Sequence, residues 1–222
     1  MNQLKNINNK NVDLYVYTDG ACINNGKPNA KAGMGVYFNK NDPRNLSKKV
    51  DGKQTNNTAE LGAVYEALCL LTQEISNNKN ICIVTDSEYV IKCCTTYGEK
   101  CKIDNWTKPI PNKDIVKVLF TAFDNYKNLS IKHIDAHTGK QDIHSLGNEE
   151  ADRLANLAIG QIMCPYQRQE QSKLKKIYLK VKYEQKEEAK SYGAKWDPSK
   201  KKWYYINTLP QEKISHLEKF LP

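Results

Sequence analysis

The chain has 222 residues, 39% hydrophobic and 27% charged, a balance that excludes a disordered polymer. It contains no apolar run of membrane-spanning length and no signal-peptide core near its start, which gives the expectation of an intracellular protein with no membrane partner. The net charge is +9, and the seven cysteines, an odd number without a C-x-x-C pair, fit reduced thiols in a reducing compartment better than a disulfide framework or a zinc site.

Residues 1–11, MNQLKNINNKN, are rich in Asn and Lys and are read as a disordered tail. Val12 to Asp19 (VDLYVYTD) alternates with period two, as a half-buried strand does, and stops on a carboxylate just before Gly20. Asn24-Asn25-Gly26 is a hairpin signal. It leads to a second strand over Lys31–Asn39, and a weak third follows around Leu46–Val50. The period then changes. Leu61, Val64, Leu68 and Leu71 recur at helical spacing from Ala59, with Thr58 as candidate N-cap and Glu60 in the first turn.

A buried strand, Ile81–Thr85, ends at Asp86, and a helix is expected from Glu88 to Cys94. Lys113–Tyr126 reads as a helix with Ile115, Val118, Leu119 and Ala122 on its apolar face, and Leu129–Ile134 as a strand. A polar loop, Thr138–Gly147, then leads into a helix from Asn148 to Ile162. Its stripe is Ala151, Leu154, Ala155 and Ala158, flanked by Asp152. The order β β β α β α α β α gives an α/β fold: a mixed five-stranded sheet with helices on both faces. Sites in such sheets form at strand ends and at switches of strand order, and Asp19 and Asp86 are both read at strand ends.

Asp19, Glu60, Asp86 and Asp152 thus lie in four separate elements. Each alone is equally readable as a helix cap or a surface residue. Brought together, two like charges about 4 Å apart repel by roughly 4 kcal/mol at an effective dielectric near 20, so a pocket of four takes up protons or divalent cations. Oxygen-only ligands favour Mg2+, with Mn2+ as a substitute, and four carboxylates suffice for two ions.

The blocks TDGAC (18–22), TNNTAEL (55–61), TDS (85–87) and HTG…GNEEADRLA (137–139, 147–155) resemble, in order, the motif blocks of type 1 ribonuclease H. The resemblance covers about residues 12–162. It implies a ribonuclease H-like fold and metal-dependent endonucleolytic hydrolysis of the RNA strand of RNA/DNA hybrids, leaving 5′-phosphate and 3′-hydroxyl ends. It also implies that Asp19, Glu60, Asp86 and Asp152 are the catalytic metal ligands and that His137 assists from a loop. Cys22, Asn25, Asn56 and Asn57 match contacts to the RNA 2′-hydroxyls in the minor groove. Thr55 and Asn112 match a pocket for a DNA-strand phosphate, with Lys53 nearby, and Tyr89 and Tyr97 match aromatics along the DNA channel. The stretch from Cys94 to Lys108 lacks the long basic helix of some members. The implied partner is the hybrid, with no small-molecule cofactor and a monomeric state.

Residues 163–174 read as a linker, and the chain beyond it is strongly basic. Residues 166–222 carry 14 Lys and Arg against 7 Asp and Glu, whereas residues 1–165 carry 20 against 18. Ile177–Lys182 and Lys202–Ile206 read as strands, Gln185–Tyr192 as a helix closed by Gly193, and Pro210 opens a last helix. These make residues 175–222 a small α+β domain. Its pattern resembles a poorly characterised domain appended to DNA-processing proteins of viruses and bacteria. Lys195, Trp196, Lys200, Lys201, Lys202 and Trp203 interleave basic and aromatic groups as a nucleic-acid grip does.

Overall fold

Strand β1 (Leu14–Ile23) is the axis of the larger sheet in this computed structural model, which describes residues 11–161 and 175–221. Around it lie β2 (Lys31–Tyr37), β3 (Leu46–Lys49), β4 (Ile81–Thr85) and β5 (Leu129–His133), in the spatial order β3-β2-β1-β4-β5. β1 pairs antiparallel with β2 and parallel with β4, and β4 pairs parallel with β5. The chain divides into two units, Met1–Cys164 and Pro165–Pro222. The expected tail at 1–11, apart from Asn11, and the whole expected linker at 163–174 lie outside the described residues.

The helices among the described residues of the first unit are α1 (Asn56–Leu70), α2 (Thr72–Ser76), α3 (Glu88–Cys94), α4 (Thr96–Ile103), α5 (Lys113–Asn125) and α6 (Ile143–Ala158). One sheet face packs Val16, Val36, Ile81 and Ile83 against Leu61, Val64, Ala67, Val90, Val116 and Leu119 of α1, α3 and α5. The other face meets α6: Tyr17, Cys82 and Val84 pack with Ala151, and Ala21 packs with Ala155 and Ile159. The expected mixed sheet with helices on both faces is what forms. No helix among the described residues is long and apolar enough to cross a membrane.

Several boundaries differ from the sequence reading. β1 does not stop at Asp19; its ladder with β2 continues to Ile23↔Lys31. The α1 N-cap is Thr55, not Thr58. Thr58 is the other half of a reciprocal capping box, its hydroxyl accepting from Thr55 N while its own N–H donates to the Thr55 hydroxyl. α6 begins at Ile143, so the polar loop ends five residues earlier than expected, and Asp142 caps the helix by accepting from the backbone N–H of His144 and Ser145. In α5 the buried face is Val116, Leu119 and Phe120, and Val118 is about half exposed. The run KDIVKVLFTAF supplies two overlapping apolar stripes, and packing on the sheet selects the second. The sequence reading assigns no element to the short helices α2 and α4.

The second unit has a three-stranded antiparallel sheet, ordered β6-β8-β7, from β6 (Lys176–Leu179), β7 (Lys195–Asp197) and β8 (Lys202–Ile206). α7 (Lys186–Ser191) and α8 (Gln211–Leu217) supply Ala189 and Leu217 to a core shared with Leu179, Tyr205 and Phe220. Gly193 takes the left-handed conformation (φ 96°) just beyond α7, as expected for a helix-ending glycine.

Candidate active site

The register of β1 and β4 brings the first two carboxylates together. Their parallel ladder runs from Leu14↔Ile81 to Tyr17↔Val84. Carried two residues further, it sets Asp19 abreast of Asp86, both on the face that α6 covers. Glu60 arrives from the opposite side. The backbone of α1 lies directly over Gly20, where an added Cβ would come within 2.3 Å of the Glu60 nitrogen. One oxygen each from Asp19, Glu60 and Asp86 lie within 4.8 Å of one another. Asp152 borders this triad from α6, and its charge acts on both Asp19 and Glu60.

The triad is strained electrostatically. Burial, then the charges of Glu60, Asp86 and Asp152, hold the Asp19 carboxyl well above the usual carboxylate range, although the Gly20 N–H donates to it at 2.7 Å. Burial and Asp86 push Glu60 up to about 8. Asn56 Nδ2 donates to Glu60 Oε1 (3.3 Å), while Glu60 Oε2 is buried without a hydrogen-bond partner. A buried, unpartnered carboxylate oxygen facing two other acids has the chemistry of a divalent-cation ligand. The residues therefore fit such an ion.

Three polar groups that the sequence reading did not single out hold the acids in place. Asn148 Nδ2 donates to Asp86 Oδ2 (2.9 Å), Asn156 Nδ2 donates to Asp152 Oδ1 (2.7 Å), and a His133 ring nitrogen lies 3.1 Å from the Asp86 carbonyl. Asn148, Asp152 and Asn156 recur every four residues, so they form one polar ridge along α6. That spacing was present in the sequence.

The remaining candidates fall at several places. Asn25, in the turn after β1, accepts from Asn56 N (3.2 Å), which links the turn through Asn56 to Glu60. Cys22 is half-buried on β1, Thr55 is the α1 cap, and Asn57 and Lys53 are exposed. Asn112, with φ of 55°, donates from Nδ2 to the Tyr89 hydroxyl at 3.4 Å. Tyr97 on α4 lines a cavity of about 210 Å³ with Trp106, Lys100, Lys108 and Ile110. His137 sits in the β5–α6 loop with φ of 50°. Its neighbour Thr138 lies 3.2 Å from the Ser145 hydroxyl, which donates to Asp142 at 2.8 Å, so the loop is tied to the start of α6.

The C-terminal candidates are sorted by the second sheet. Lys195 and Lys202 lie on one face, and Trp196 and Trp203 pair on the other. Trp203 is half-buried and packs against that unit's core, whereas Trp196 is 48% exposed. Lys200 and Lys201 lie between β7 and β8, in the turn whose backbone Asp197 organises.

A mixed α/β sheet with a buried acidic triad that could hold a metal ion defines the class. A family model described as RNase H matches residues 11–160, and one described as a domain of unknown function (DUF5710) matches 176–222. Ribonuclease H1 of Mus musculus is 35% identical over 146 residues, covering 64% of this chain and 48% of its own length. Ribonuclease H of Schizosaccharomyces pombe is 35% identical over 145 residues, covering 63% and 50%. The solution structure of the PFV RNase H domain superposes with a TM-score of 0.53 at 25% identity, covering 65% of this chain and 93% of that domain. The chain belongs to the ribonuclease H family, which degrades RNA in RNA/DNA hybrids. It spans about half the length of the two curated relatives described.

Proposed function

We propose that residues 12–162 form a divalent-metal-dependent endonuclease that hydrolyses the RNA strand of RNA/DNA hybrids to 5′-phosphate and 3′-hydroxyl ends. The observation that carries this reading is the buried triad Asp19, Glu60 and Asp86, with its unpartnered Glu60 oxygen. Together with Asp152, these residues would hold two Mg2+ ions, or Mn2+ in their place. Such ions supply Lewis-acid stabilisation of the leaving oxygen and activation of the attacking water.

The chain's own groups do the positioning. Asp19, close to both Glu60 and Asp86, is placed to be shared, and Glu60 orients the attacking water. Asn148 fixes the rotamer of Asp86 through its amide. His137, on its loop, moves a proton or helps product leave. Cys22, Asn25, Asn56 and Asn57 read the 2′-hydroxyls that distinguish RNA from DNA. Thr55, Asn112 and Lys53 hold a phosphate of the DNA strand, and Tyr89 and Tyr97 face that strand. The working form is a monomer.

The test incubates wild type and Asp86→Asn with end-labelled hybrid, double-stranded RNA and double-stranded DNA, with magnesium and with chelator. Cleavage confined to the RNA strand of the hybrid, and lost in both the variant and the chelator, is expected. Tight hybrid binding without cleavage would replace the enzyme reading with a binding module.

A further inference from the structure

The sheet of the second unit has two unlike faces. Residues opposite one another in an antiparallel ladder share a face. Ile177↔Tyr205, Leu179↔Trp203 and Trp196↔Trp203 lie on one, and Ile177, Leu179, Trp203 and Tyr205 pack there with Ala189, Leu217 and Phe220 of the helical side. Lys176↔Ile206, Tyr178↔Tyr204, Lys195↔Tyr204 and Asp197↔Lys202 lie on the other. Both α-helices among the described residues of this unit contribute to the first face, and no helix among the described residues of the unit covers the second.

This open face is aromatic at its centre and basic around it. The Tyr178 and Tyr204 rings stand 6.0 Å apart, and the Lys176 ammonium lies 4.4 Å from the Tyr204 ring centroid. Lys195 and Lys202 are exposed beside them. The acids are segregated from this surface. Within residues 175–221, Glu184, Glu187, Glu188, Glu212 and Glu218 all belong to helical turns. Asp197, the acid on the strands, is paired with Lys176 at 2.8 Å and accepts from the Tyr178 hydroxyl at 2.9 Å. The face therefore presents lysines with no competing free carboxylate of its own strands.

We propose that this face binds single-stranded nucleic acid without sequence preference. Bases stack on Tyr204 and Tyr178, and Lys195, Lys202 and the Lys200–Lys201 turn meet the phosphates. Charge complementarity selects a polyanion. The central rings select a single strand, because a duplex hides its base faces and would use the lysines alone. Lys176 stays paired with Asp197 beside the Tyr204 ring, so that the face keeps no free carboxylate when a strand binds. The site belongs to the other unit from the carboxylate cluster and does not rest on the hydrolytic reading.

The experiment titrates the full chain, in chelator, against labelled oligo(dT), oligo(rU) and an RNA/DNA hybrid, each of about 15 units, over a salt series. Lys195→Ala with Lys202→Ala is expected to weaken single-strand binding at least about tenfold and flatten the log K against log salt slope by about 1.4. Lys186→Ala with Lys190→Ala removes the same charge from α7 and should change far less. Tyr204→Ala should weaken binding about tenfold and Tyr204→Phe restore it, with thermal unfolding run on every variant. Oligo(dT) and oligo(rU) bound alike support the proposal. Equal losses from the two lysine pairs, hybrid bound as tightly with the same dependence on Tyr204, or no single-strand binding would each overturn it.

Discussion

Glu60 is buried, beside two other acids, with one oxygen unpartnered. Its folded-state pKa, about 8, lies above its ordinary 4.5, so folding favours the protonated form. In chelator, the first unit is therefore at its most stable below pH 4.5 with respect to this group and loses stability as pH rises towards 8. Glu60→Gln removes that repulsion. At pH 8 without metal the variant should be more stable than wild type by about 2 kcal/mol, several degrees in Tm. Adding magnesium should raise the wild-type Tm and leave the variant nearly unmoved. A variant that melts earlier than wild type in chelator would refute this. The acids themselves were legible because they end or begin recognisable elements. The amides that hold them were not, since a buried Asn reads in sequence like any polar loop or helix residue, and only the four-residue spacing of Asn148, Asp152 and Asn156 betrays a shared face.

At the scale of elements, the misreadings share a cause. In sequence, Gly20 and Gly147 read as punctuation, ending β1 and the loop before α6. Both are in fact places where another group comes too close for a side chain. The α1 backbone lies over Gly20, and the Tyr17 ring would stand 2.5 Å from a Cβ on Gly147. Local sequence marks a glycine but does not say whether a turn or a neighbour requires it. Gly35 on β2 is the same kind of residue: a Cβ there would fall 2.0 Å from the Ala151 carbonyl of α6, one residue before Asp152. Gly35→Ala must push the helix off the sheet. It should destabilise the unit by about 1–3 kcal/mol and, by shifting Asp152, reduce magnesium-dependent cleavage more than hybrid binding. Urea unfolding and cleavage assays together check this, and unchanged Tm and rate would show that α6 is not seated by this contact.

At the scale of the whole molecule, the chain is two units of different electrostatic character, and each has its own acid response. The division and the basic end were visible in composition, as was the small core of strands and helices. What composition concealed is that one acid organises the second unit. Asp197 accepts from Lys176, Tyr178, the Ser199 hydroxyl and the backbone N–H of Ser199 and Lys200, which holds its carboxyl far below its ordinary 3.8. Its stabilisation is complete above pH 3.8 and is lost as pH falls below that value. Acid titration should therefore weaken the second unit's sheet, while Asp197→Asn should lower its stability at neutral pH and remove this pH dependence, followed by the fluorescence of Trp196 and Trp203. Coincident curves for wild type and variant would show that the β7–β8 turn does not depend on this carboxylate.

Asp19 stands inside the β1–β2 ladder, opposite Gly35, while Asp86 stands past the last paired residue of β4. One acid of the site is thus fixed by the ladder of the sheet, and the other, beyond the last paired residue, is held by the contacts of Asn148 and His133. Backbone pairing therefore protects Asp19, while side-chain contacts alone seat Asp86 at the start of α3. Amide exchange around Gly20 should accordingly be slow and insensitive to magnesium, with the amides near Ser87 exchanging faster and slowing when the ion binds.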